Sequence, residues 1–263
     1  MDSSRSARPI SSRETRLLHP EPGDLWYFTD TESEFNFPCF VMDTRFERQA
    51  KETGNNEHKL ISVRQMDALK RWLDVSQANP DISDRPKFIF GGQNLAPIAK
   101  QALDFPELLP HEDGWLSYPA SLSELLNHIL DNAISNVVFV GGDLHLSGAL
   151  KLSLRKAEAE AHIWQIVSSG LYSPMPFANP SESVLAWEAG SSSSPAIHLP
   201  GGILLGFSGA LLSASTQQFT RMSVSGTDSL WRIKLQSFDK FGQPITKQHP
   251  FDRQQDNLQV IFE

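Results

Sequence analysis

The sequence predicts a layered α/β fold of the α+β kind, with mixed β-sheet layers flanked by helices. Three observations predict it. Apolar residues recur at three- and four-residue spacing across 62–73 and again across 121–133, which marks two amphipathic helices. Within 136–140, the unbroken run Val137-Val138-Phe139-Val140 reads as a central strand covered on both faces. The remaining third of the chain alternates apolar and polar residues between turn residues, as antiparallel strands do. A purely parallel doubly wound sheet is disfavoured by that order of elements.

Residues 1–23 form a polar leader rich in Ser and Arg, expected to be flexible, and 24–263 form the domain. Aromatic and β-branched runs at 24–29 and 37–43 flank a polar turn and predict a hairpin. The first helix follows, with Val63, Met66, Leu69, Trp72 and Leu73 on one face. Asn79-Pro80 and Arg85-Pro86 punctuate the next loop, and a short apolar run at 87–90 ends at Gly91-Gly92. The second helix turns Leu122, Leu125, Leu126, Ile129 and Leu130 inward, with Ser121 and Glu124 as a capping box. After the central strand, 149–155 and 161–168 predict a second hairpin with 156–160 as its turn, and a long irregular stretch contains the serine run 191–194. Strands are expected at 219–225, 229–237 and 258–262, with turns at Gly226-Thr227-Asp228 and Phe241-Gly242-Gln243.

A chain of 263 residues is long enough to bury a substantial core, while 17 prolines and 16 glycines argue against a compact helical bundle. With 23 basic against 31 acidic residues the formal charge is -8, and no basic patch for a nucleic acid stands out. Cys39 is the single cysteine, so no intrachain disulfide staples the fold. The first 20 residues hold no apolar run of the kind a secretory signal needs, which predicts a cytoplasmic protein if Met1 is the true start. The apolar stretch 201–212 falls short of the roughly 18–20 residues needed to span a bilayer and reads as buried.

Chemistry is most legible where the central strand empties into Gly141-Gly142-Asp143-Leu144-His145. Two glycines let the backbone turn sharply and approach a ligand, while Asp143 and His145 offer a hard carboxylate and an imidazole two residues apart. Composition alone favours a plain polar turn there. Upstream, Asp43-Thr44-Arg45-Phe46-Glu47-Arg48 follows an apolar run, and arginine donates two parallel hydrogen bonds to an oxyanion in a way lysine cannot. Read alone, this segment is an ordinary charged strand end.

These segments together resemble the alkaline phosphatase D (PhoD-like) family of the metallophosphatase, or calcineurin-like, superfamily. Gly142-Asp143-x-His145 matches the family's Gly-Asp-x-His after a strand, and Asp43-x-Arg45-x-x-Arg48 matches its Asp-x-Arg-x-x-Arg. Further matches in the same order are Gln65 before Trp72-Leu73, Asp113-Gly114-Trp115 with Tyr118-Pro119-Ala120, and Ser168-Ser169 with Tyr172. The family's arginine after Tyr-Pro-Ala is replaced by Ser121-Leu122-Ser123, and nothing before Asp43 resembles the family's N-terminal metal-binding half.

The resemblance implies a metallophosphatase-like arrangement lacking that half, and hydrolysis of phosphomonoesters or phosphodiesters. It implies metal ligation by Asp143, His145 and Asp43, phosphate binding by Arg45 and Arg48, and a pocket wall at Tyr118. Calcium, iron, manganese or zinc ions would lower the pKa of a bound water for in-line attack on phosphorus. The implied partner is a phosphate ester, and a sheet edge exposed by a missing half would invite self-association. Gln65, by contrast, is expected only to pack, and His111, His128 and His162 to be structural or solvated. The alternative is a catalytically inactive metallophosphatase-like module that binds or supports. No Gly-x-Ser-x-Gly elbow, phosphate-binding glycine loop, dinucleotide fingerprint or Cys-x-x-Cys competes with these readings.

Overall fold

In the computed structural model the described residues are 17–29, 37–50, 57–96, 114–142, 147–168, 196–213, 217–227, 230–245 and 258–262. Most of the leader, His111, Asp143, His145, Tyr172 and the serine run lie outside them.

The expected first hairpin forms from β1 (Tyr27–Phe28) and β2 (Cys39–Val41). Helix α1 (Val63–Ala78) starts where Ser62 Oγ accepts the Gln65 N–H at 3.1 Å. It runs five residues past the periodic segment, to Ala78. Strand β3 (Lys87–Phe90), helix α2 (Pro119–Asp131) and strand β4 (Val137–Gly141) follow. A long hairpin comes next, from β5 (Ser147–Lys156) and β6 (Ala159–Ser168). Its turn is shorter than the predicted 156–160, because Ala157 adopts φ 50° and lets the ladder continue to Lys156 and Ala159.

The capping box expected at Ser121 and Glu124 is not made. Pro119 occupies the first turn, where its missing N–H costs nothing, so α2 begins two residues earlier. Ser121 instead faces the core and its Oγ accepts the Leu60 N–H at 3.0 Å. Glu124 pairs with Lys59 at 3.0 Å and Lys70 at 2.8 Å, tying α2 to α1 and the segment before it.

β7 (Ala196–Leu199), which the sequence pattern did not mark, pairs with β8 (Ile203–Ser213), and Gly201 and Gly202, both at φ 80°, make the turn between them. The apolar stretch 201–212 is thus mostly a sheet strand, with Ile203 and Leu205 buried. β9 (Gln218–Thr227), β10 (Leu230–Asp239) and β11 (Leu258–Phe262) form a separate antiparallel sheet. Gly226 and Thr227, expected in a turn, belong to β9. Gly226 sits under Trp231, whose ring would lie 2.5 Å from any Cβ there. The turn at Gly242, with φ +77°, forms as predicted.

The first eight strands make one mixed sheet in the order β1-β2-β3-β4-β6-β5-β8-β7. One face carries α1 and α2 over a core that includes Phe40, Leu69, Trp72, Leu122, Ile129, Val137 and Ile163. The other face packs Phe88, Val138, Ala149 and Ile166 against Ile233 and Leu235 of the small sheet. Both faces of β4 are therefore covered, which is why its sequence is apolar without alternation. No described helix is long and apolar enough to cross a membrane.

Candidate active site

β2, β3, β4 and β6 run parallel, so their carboxyl ends meet at one edge of the sheet, the place where open α/β sheets hold ligands. A cleft of about 540 Å³ opens there. Met42, Phe90 and Val140 give it apolar walls; Gly91, Gly92, Gln93, Gly141, Gly142 and Ser168 form its floor, and Arg45 reaches it.

The floor is built from the 91–96 loop pressed against the end of β4. Gly91 donates to the Val140 carbonyl at 3.0 Å, and Asn94 Nδ2 donates to the Gly142 carbonyl at 3.2 Å. Thr44 donates its hydroxyl proton to Gln93 Oε1, and the Trp115 N–H reaches the Asn94 carbonyl at 3.1 Å. From β6, Gln165 Oε1 accepts the Leu95 and Ala96 N–H groups at 2.7 and 2.8 Å. A Cβ on Gly141 would stand 3.1 Å from Asn94 Oδ1, and one on Gly142 would stand 3.1 Å from the Ser168 carbonyl. Both glycines are used for close approach, here to Asn94 and Ser168 of the chain itself, where the sequence pattern anticipated approach to a ligand. Asn94 Oδ1 is buried there with no hydrogen-bond partner among the described residues.

Arg45 is exposed on the loop that follows β2. Asp43 lies beneath it, 7% exposed, and its Oδ1 accepts the N–H groups of Arg45 and Phe46, each at 2.9 Å. Oδ1 of this expected metal ligand is thus engaged in an Asx turn that fixes the arginine's backbone. Arg48 is half-buried three residues on and does not line the cleft. Tyr118 is placed in the main core at 2% exposure, immediately before α2, and packs there instead of walling the cleft. The segment carrying Asp143 and His145 continues from Gly142 in the floor but lies outside the described residues.

Other candidates for chemistry are elsewhere. Burial pushes the Cys39 thiol up, away from the thiolate a nucleophile needs. His128 Nε2 sits 2.8 Å from Asp74 and ties α2 to α1. Partial burial and then Lys151 lower the His162 pKa on the outer part of β6.

Sequence reading expected Gln65 only to pack and did not single out Gln165. Gln65 lies on the apolar face of α1, four residues before Leu69 and seven before Trp72, and Gln165 lies inside the buried β6. A polar residue in a buried position is itself the signal, since it needs partners the sequence does not name.

A glycine-floored cleft at the carboxyl ends of parallel strands, lined in part by an arginine, is the arrangement of the α/β class whose ligands gather at strand ends. The comparisons with known proteins narrow that class. The family description PhoD-like phosphatase matches residues 28–200, more than half of the chain, and the chain belongs to that family. A solved structure, "Structure of PhoD", is 15% identical with a TM-score of 0.45, covering 81% of this chain and 42% of that one. The chain therefore spans less than half the length of that solved chain. No curated protein matches.

Proposed function

We propose that this chain acts in metal-dependent hydrolysis of phosphate esters, monoesters or diesters, of the PhoD-like type. The observation that carries the reading is that Arg45 opens on the same cleft whose floor runs through Gly142 into Gly-Asp-x-His. Arg45 would bind the phosphoryl oxygens through its planar fork at the glycine-lined cleft.

Among the described residues no group of three His, Cys, Asp or Glu side chains gathers to hold a metal. In this reading the described cleft would supply the phosphate end through Arg45. Asp143 and His145 are the expected protein ligands for calcium, iron, manganese or zinc, which when bound would supply an activated water and charge neutralisation.

The test is hydrolysis of p-nitrophenyl phosphate and bis-p-nitrophenyl phosphate with each of those metals, comparing wild type with Asp143→Ala and His145→Ala. Metal-dependent turnover lost in both variants is expected. Turnover indifferent to both residues would remove the catalytic reading, and orthophosphate binding without turnover would identify a non-catalytic phosphate-binding module.

A further inference from the structure

We propose that Gln65 is the positioning residue for Arg45, replacing the strand partner that the backbone loses on leaving the sheet. Met42 makes the last bond of that edge, donating to the Phe90 carbonyl at 2.8 Å. At the next residue Gln65 takes over: its Oε1 accepts the Asp43 N–H at 2.9 Å and its Nε2 donates to the Asp43 carbonyl at 3.0 Å. Nε2 also donates to the Glu47 carboxylate, which in turn accepts the Ser62 N–H at 3.0 Å. One side chain thereby grips both ends of the 43–47 segment that carries Arg45.

A carboxamide presents a donor and an acceptor in one plane, as a peptide group does, so it can pair with a main chain as a neighbouring strand would. Gln65 is itself fixed. It is wholly buried in the first turn of α1, and Met66, Leu69, Trp72 and Leu73 lock that helix into the core. Asp43 passes the order on through its two bonds to the Arg45 and Phe46 amides. The path runs from the helical core through Gln65 and Asp43 to the guanidinium at the cleft. Gln65 does not line the cleft, so its effect is on position and not on chemistry.

The consequence for phosphate rests on the proposed function of the cleft; the clamp does not. Two near-isosteric variants separate the possibilities. In Gln65→Glu the ionised side chain loses the donor and faces the Asp43 carbonyl and the Glu47 carboxylate with oxygen, whereas the protonated form can donate again. Burial and Glu47 both raise the pKa of the introduced carboxyl. Amide hydrogen exchange at Arg45 and Phe46, read by NMR, should therefore rise at least about tenfold near neutral pH and fall back toward wild type in mild acid. Gln65→Met should show the same rise without the pH dependence, which also covers the case in which the acidic variant does not fold. Orthophosphate affinity should drop in both near neutral pH. Exchange at Arg45 and Phe46 unchanged in a folded Gln65→Met protein would overturn the proposal. Raised exchange together with no orthophosphate binding by wild type would uphold the clamp and instead defeat the phosphate reading of the cleft.

Discussion

If the cleft hydrolyses phosphate esters as proposed, Arg45→Ala should lower kcat/KM for p-nitrophenyl phosphate by on the order of a hundredfold or more, and Arg45→Lys should restore little of it. The size follows from geometry. A guanidinium donates two parallel, charge-assisted hydrogen bonds to a phosphoryl group, and an ammonium on a flexible stem reproduces the charge but not the fork. The loss is confined to the site, because the loop's backbone is held by Asp43 Oδ1 and Gln65 whatever side chain stands at 45. Arg45 is exposed, so thermal unfolding should move little. Full activity in Arg45→Lys would contradict a bidentate role and leave only a general electrostatic one.

Lys87 should make folding stability climb between about pH 8 and 10.5. Its side chain is fully buried at the start of β3, donating to the Ser83, Ser135 and Arg85 carbonyls at 2.7, 3.0 and 3.4 Å. Burial depresses its pKa from 10.5 to about 8, partly offset by Asp84. Below pH 8 the folded chain carries the full penalty of a buried ammonium. Between the two values the folded state has released a proton that the unfolded chain still binds, so stability rises with pH, and above 10.5 the penalty is gone. The whole excursion is on the order of 3 kcal/mol. Urea unfolding of wild type and Lys87→Met across this range measures it as the change in their difference, which cancels other titrations. Parallel curves would mean that Lys87 keeps an ordinary pKa.

The elements the sequence revealed are those whose burial is one-sided or complete. Trp72 and Leu73 on α1, the valine run of β4 and the alternating strands of the small sheet all announce themselves through periodicity. β7 has four residues and no lasting pattern, and the start of α2 was obscured because Ser121 looks like a cap yet serves the Leu60 amide. At the cleft, Arg45 stood out only through the resemblance's Asp-x-Arg-x-x-Arg pattern, and Gly141-Gly142 because a sharp turn after a strand and close backbone approach demand glycine. Tyr118, which the resemblance placed at a pocket wall, is buried in the main core, and an aromatic residue before a helix has the same sequence signature in either setting. The bonds of Gln65 and Gln165 were not legible at all: their partners lie 22 and about 70 residues away, and an amide's sequence says nothing of where its two poles point.

A crystal structure of the chain grown with orthophosphate and a divalent metal tests the central claim most directly. The phosphate should sit in the cleft with two oxygens on the Arg45 guanidinium, and Asp143 and His145 should face it from beyond Gly142. Phosphate bound elsewhere, or those three side chains turned to separate surfaces, would contradict the account.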